Sequence, residues 1–110
     1  IAMIEHHRAV ANLEEILKVE GLDAVLIGPY DLSSSMGFSA QFDNPEFISS
    51  INSILQKCNY YKVPCGVHVV MADQVTLKKH LGEGYRFIAY SIDAVFLNKA
   101  CSRPIIQTAS

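Results

Sequence analysis

Ala24-Val25-Leu26-Ile27-Gly28-Pro29-Tyr30-Asp31-Leu32-Ser33 is a short apolar run, halted by a Gly-Pro step and followed by a polar segment. An unbroken apolar run of this length is the pattern of a strand buried on both faces, which is how strands of parallel sheets read. Proline brings no amide to a ladder, so Gly28-Pro29 stops the strand. Asp31 to Gly37 then reads as a polar loop with some helical character.

Working outward, the same alternation recurs on both sides. Upstream, His7 to Lys18 places Val10, Leu13, Ile16 and Leu17 on one helical face and Glu14, Glu15 and Lys18 on the other, with Gly21 as the expected C-cap. Before that helix, Ile1-Ala2-Met3-Ile4-Glu5 reads as the end of a buried strand. Domains seldom open in mid-strand, so an upstream portion is expected. Downstream, Asn44 is a cap, Pro45 suits the first helical position and Glu46 the positive end of the helix dipole. The core stripe of that helix is Phe47, Ile48, Ile51, Ile54, Leu55 and Cys58. Gly66-Val67-His68-Val69-Val70 is a third strand, and Asp73 caps a helix bearing Val75, Leu77 and Leu81, closed by Gly82 and Gly84. Phe87-Ile88-Ala89-Tyr90 is the fourth strand, with Ile88 expected to be buried like Val25, Ile27, Val67 and Val69; a short apolar helix follows from Ala94, and Pro104 ends it.

Strands and helices alternating through short connections mean parallel βα units with right-handed crossovers. Four such units form either a small open sheet or half of a closed eight-stranded barrel. In both arrangements ligands meet the carboxyl ends of the strands. Those ends are Glu5, Gly28 to Asp31, His68 to Met71, and Ser91 to Asp93, and the polar residues gather there.

The totals agree with a packed α/β domain. Of 110 residues half are hydrophobic and 18% charged, far from the composition of a disordered chain. A formal charge of −2 with no basic cluster argues against nucleic acid as a partner. No apolar run is long enough to span a bilayer, and no signal-peptide pattern is visible, so neither membrane nor secretion is expected. Cys58, Cys65 and Cys101 are odd in number and lack C-x-x-C spacing, which suits reduced thiols in a cytoplasmic protein.

Glu5 and Asp31 end successive strands and therefore point into one cleft. Two carboxylates there suit a hard divalent cation such as Mg²⁺ or Mn²⁺, with positions left for water and substrate oxygens. Each alone reads equally as a helix cap or a solvated acid. Gly28 lets backbone approach a ligand, and the amides after it can face an anion, although Gly-Pro turns are common for structural reasons. His68 in an apolar strand is either a satisfied core residue or a cleft-lining one. His6, His7 and His80 read as surface or capping residues, and Asp93 as the cap of the last helix.

Met3-Ile4-Glu5, Val10-Ala11-Asn12-Leu13-Glu14-Glu15-Ile16-Leu17 and Gly21 through Ser33 together resemble the HpcH/HpaI aldolase family. The resemblance continues through Asn44-Pro45-Glu46, Gly66 to Val70, and Gly84 to Asp93, and only the stretch from Cys101 departs from it. It implies the second half of a TIM (β/α)₈ barrel, with residues 1–110 a single partial domain, since complete barrels run to about 250 residues. It also implies a metal-dependent class II aldolase that cleaves 4-hydroxy-2-oxo acids to pyruvate and an aldehyde. By the same resemblance Glu5 and Asp31 are metal ligands, and the backbone around Gly28, Tyr30 and Asp31 holds the carboxylate of pyruvate. His68 and Leu26 match positions that wall the pocket, His68 on the aldehyde side. The family's acid–base histidine and substrate-orienting arginine lie in the first half of the barrel and have no counterpart here, so the catalytic residues of this chain stay unassigned and the isolated chain is expected to be inactive as a fragment.

Two further readings remain beside the enzyme: a non-catalytic module that binds metal or a 2-oxo acid, and a citrate-lyase-type enzyme acting on an acyl-CoA. Unpaired strand edges lead to the expectation of a homo-oligomer, or of association through those edges.

Overall fold

The computed structural model describes residues 1–71 and 73–101. Its elements run β1 (Ala2–Ile4), α1 (His7–Ala11), α2 (Leu13–Leu17), β2 (Val25–Ile27), α3 (Pro29–Ser35), α4 (Pro45–Tyr61), β3 (Cys65–Val69), α5 (Gln74–Gly82), β4 (Phe87–Tyr90) and α6 (Asp93–Ala100). The four strands form one sheet in the order β1-β2-β3-β4. Every pairing is parallel, with Ile4 beside Ile27, Ile27 beside Val67, and Val67 beside Ile88.

Strand side chains alternate between faces, and the register makes that alternation continuous across the sheet. Ile4, Val25, Ile27, Val67 and Val69 share one face and are buried with Leu13, Leu17, Leu32, Phe47, Ile54 and Cys58 of the helices. Met3, Leu26, Gly66, His68, Phe87 and Ala89 take the opposite face, where Met3 is 50% exposed. Gly66 is required there, because a Cβ at that position would come within 2.4 Å of the Phe87 ring.

Helix starts follow the local chemistry. Asn44 accepts from the Glu46 amide at 2.9 Å with Pro45 in the first turn, and Asp73 accepts from the Val75 and Thr76 amides at 3.0 Å each. The Thr76 hydroxyl, which also donates to Asp73, and then those amide bonds hold the Asp73 carboxyl below the usual carboxylate range.

Several expectations need correction. The helix expected over His7 to Lys18 is two short helices broken at Asn12, whose carbonyl accepts from the amides of both Glu15 and Ile16. It ends at Leu17, so Gly21 is not its cap; Gly21 instead makes a left-handed turn, φ +84°, on the way to β2. The polar loop after Gly28 is helix α3 from Pro29 onward, because Pro29 takes the first-turn position and the Gly28 carbonyl accepts from the Leu32 amide. Ile48 of α4 is largely exposed, and Ile88 is only half-buried because β4 lies at the sheet edge. Asp93 occupies the first turn of α6, where its carboxylate accepts from the Ala94 amide at 2.7 Å. Pro104 lies outside the described residues.

Candidate functional site at the carboxyl end of the sheet

Glu5 directly follows β1 on the same face as Met3, and Gly28 directly follows β2 on the face of Leu26. The Gly28 amide donates to the Ile4 carbonyl at 3.1 Å, extending the β1–β2 ladder by one step. This brings Glu5 over Gly28: a Cβ on Gly28 would lie 3.4 Å from Glu5 Cβ and 3.7 Å from Glu5 Oε2. Gly28 is also the N-cap of α3, whose first turn carries Asp31. The two acids thus stand on consecutive strand-to-helix connections at one end of the sheet, both exposed. Among the described residues neither engages in an ion pair or accepts a hydrogen bond, which leaves four carboxylate oxygens available. Their chemistry suits a hard cation with few protein ligands. No group of three or more His, Cys, Asp or Glu gathers among the described residues, so the pair stands alone.

Helix α3 is fastened from within. The buried Ser33 hydroxyl donates to the Tyr30 carbonyl at 2.9 Å and accepts from the Ala40 amide at 3.0 Å. At its far end the Ser35 hydroxyl accepts from the His7 amide, and the Ser35 carbonyl accepts from His7 Nδ1, both at 2.9 Å. His7 therefore ties the connection after Glu5 to the helix that carries Asp31. His6 accepts from the Arg8 amide at 3.2 Å and caps α1. His80 sits on α5 with Nδ1 at 2.7 Å from Glu83 Oε2.

His68 lies within β3 and is half-buried. Its Nε2 donates to the Ser91 carbonyl at 3.2 Å. With Pro29 and Tyr30 it lines a cavity of about 760 Å³ that continues along α4 and α5 past Ile51, Leu55 and His80. That cavity lies on the helix side of the sheet with Val67 and Val69, whereas the His68 side chain takes the opposite face with Leu26, which is half-buried between Met3 and Gly66; Glu5 meets Gly28. Tyr30 rests edge-on against Phe42, ring centres 5.0 Å apart.

Sequence reading gave Ser91 no role. It follows β4 in a left-handed conformation, φ +64°, with its hydroxyl buried and unpartnered among the described residues. The only signal was its place at a strand end. Cys58 and Cys65, buried and free, share a hydrogen bond that lowers the Cys58 thiol and, aided by burial, raises that of Cys65. Cys101 is free and exposed. No helix among the described residues is long and apolar enough to cross a membrane.

A family model described as HpcH/HpaI aldolase/citrate lyase matches residues 1–100. The 4-hydroxy-2-oxo-heptane-1,7-dioate aldolase of Salmonella newport is 38% identical over 98 residues, covering 88% of this chain and 36% of that protein. The solved HpcH/HpaI aldolase from Desulfitobacterium hafniense superposes with a TM-score of 0.80 at 30% identity, covering 89% of this chain and 38% of that one. An HpcH/HpaI aldolase/citrate lyase family protein from Burkholderia cenocepacia gives a TM-score of 0.81 at 26% identity, with 89% of this chain and 37% of that one covered. The parallel α/β arrangement is therefore that of these aldolases, consistent with a partial TIM barrel. The chain spans 36% of the length of the curated relatives it matches.

Proposed function

The chain belongs to the HpcH/HpaI aldolase/citrate lyase family, and from that premise we propose that it supplies the metal and 2-oxo-acid side of a class II aldolase site. In this reading residues 1–110 are the C-terminal half of a (β/α)₈ barrel. The reaction is reversible cleavage of a 4-hydroxy-2-oxo acid into pyruvate and an aldehyde. The observation that carries it is the pairing of Glu5 with the Gly28 connection, one turn before Asp31, at the carboxyl end of a parallel sheet.

Glu5 and Asp31 would hold a divalent cation, Mg²⁺ or Mn²⁺. That ion, when bound, supplies Lewis-acid polarisation of the 2-oxo acid. The rest of the work falls to the chain. Gly28, lacking a Cβ, keeps the space beside Glu5 open to a small ligand, and the amides of Tyr30 and Asp31 at the start of α3 orient a carboxylate. Leu26 and His68 wall the pocket, His68 toward the aldehyde. The protein works in the cytoplasm and associates through the edges of β1 and β4.

A second reading, a non-catalytic module that binds metal or a 2-oxo acid, is favoured by one observation: no third His, Cys, Asp or Glu joins the pair in a metal-holding group among the described residues. Pyruvate-dependent condensation with an aldehyde, measured on the purified chain with Mg²⁺, separates the two. Turnover lost in Asp31→Ala supports the enzyme. Metal binding without turnover supports the module, and neither binding nor turnover refutes both.

A further inference from the structure

We propose that His7 is a positioning residue for Glu5: its two hydrogen bonds to Ser35 fix the connection that carries Glu5 against helix α3, and so hold Glu5 in place beside Asp31 for a divalent cation. This rests on the reading of Glu5 and Asp31 as the ligands of that cation, and adds to it a residue outside the pair.

The two acids differ in what holds their backbones. Asp31 is followed by Leu32 and Ser33, both fully buried, and the Ser33 hydroxyl bonds the Tyr30 carbonyl and the Ala40 amide. The first turn of α3 is thereby seated without help from β1. Glu5 instead stands in an exposed run, Glu5-His6-His7, where the chain leaves β1 for α1. On its N-terminal side the run is fixed by Ile4, which is buried and whose carbonyl accepts from the Gly28 amide at 3.1 Å. On its C-terminal side His7 supplies the tie to α3.

That tie has two points. The Ser35 hydroxyl accepts from the His7 amide and the Ser35 carbonyl accepts from His7 Nδ1, each at 2.9 Å. A carbonyl can only accept, so Nδ1 carries the proton. The Ser35 hydroxyl is itself aimed, because it donates to the Leu32 carbonyl at 2.7 Å and so turns a lone pair to the His7 amide. The His6 ring, its centre 4.3 Å from that of His7, flanks the imidazole. Helix α3 is therefore joined to the exposed run at both of its ends, Gly28 to Ile4 and Ser35 to His7, and Glu5 lies on the span between the two ties. With both ties the span has a fixed direction; with the first alone it can pivot about Ile4. Groups that hold a ligand's carrier in place govern metal affinity alongside the ligands themselves.

Mn²⁺ binding to the full chain, read by water-proton relaxation, tests this without turnover. His7→Phe keeps a ring and removes the Nδ1 donor, and Mn²⁺ affinity should fall about three- to tenfold. His7→Asn places an amide nitrogen as many bonds from the backbone as Nδ1, and should restore affinity to within about twofold of the parent. His7→Gln carries its amide one bond further out and should bind as weakly as His7→Phe. Asp73→Ala, which removes the α5 cap, should lower Tm and leave Mn²⁺ affinity unchanged, so that positioning is told apart from stability. His7→Phe and His7→Gln binding as tightly as the parent overturns the proposal. A folded His7→Asn that binds no better than His7→Phe overturns it too, because the imidazole would then be a ligand in its own right. So does an equal loss of affinity in Asp73→Ala. A parent that binds no Mn²⁺ refutes the metal reading and this proposal with it, whereas a parent that binds while the His7 variants match it refutes the role of His7 alone.

Discussion

Replacing Gly66 by alanine tests the sheet that carries the site. The new Cβ would lie 2.4 Å from both Cε2 and Cζ of Phe87 and 2.6 Å from Cδ2, about 1 Å inside ordinary contact. Gly66 is on β3, which is paired on both sides, so its backbone cannot withdraw without disturbing two ladders. The Phe87 ring, half-buried on an edge strand, must move instead. It then gives up its packing over Gly66 or takes a poor rotamer. Forced overpacking of this kind costs about 1–3 kcal/mol, and we expect about 2. For a domain of this size that lowers Tm by roughly 8–16 °C. Thermal and urea unfolding followed by circular dichroism would measure it. Phe87→Leu shortens the offending side chain, so the double variant should regain about half of the loss, an interaction of about 1 kcal/mol between the sites. A Gly66→Ala Tm within about 2 °C of the parent, or losses that simply add in the double variant, would refute the β3–β4 register and the face assignment built on it.

Other consequences are as direct. Asp93→Ala should leave most Mn²⁺ affinity intact, because Asp93 is engaged by the Ala94 amide at the start of α6; a loss as large as that in Asp31→Ala would misplace the metal pair. Asp73→Ala should lower Tm at neutral pH by removing the α5 cap. The folded-state pKa of Asp73 is depressed, so its contribution is complete above the ordinary carboxylate pKa and disappears as pH falls through the lower folded one. Parent and variant melting curves should therefore converge in strong acid; a constant gap at every pH would contradict the capping role. The unpaired edges of β1 and β4, with Met3 and Phe87 on the open face, should drive self-association, since buried apolar area contributes roughly 25 cal/mol per Å². Sedimentation of a monodisperse monomer with a sharp melt would show that the open face is stable in water.

Much of this was legible because it is local. Apolar runs bounded by Gly and Pro announced β2, β3 and β4, and the Asn44-Pro45-Glu46 and Asp73 signals opened α4 and α5 where the structure opens them. Parallel order followed from the alternation, and with it the side of the sheet on which Glu5, Gly28 and Asp31 stand. What stayed hidden depends on partners distant in sequence. Nothing in His7 to Lys18 announces the break at Asn12, and Ile88 reads as core until its strand proves to be an edge. The bond from His68 to Ser91 spans 23 residues, and the left-handed turn at Ser91 has no signature in residue type. Resemblance assigned roles to Glu5 and Asp31 that spacing alone left open between ligand and cap.

The central claim is that Glu5 and Asp31 together hold a divalent cation where a 2-oxo acid binds. Titration of the chain with Mn²⁺, followed by water-proton relaxation with and without pyruvate, tests it most directly. One site per chain is expected, with a relaxation change when pyruvate displaces water from the ion, and both should be lost in Glu5→Gln and in Asp31→Ala with the fold retained by circular dichroism. Mn²⁺ binding that survives both substitutions, or a bound ion indifferent to pyruvate, would contradict it.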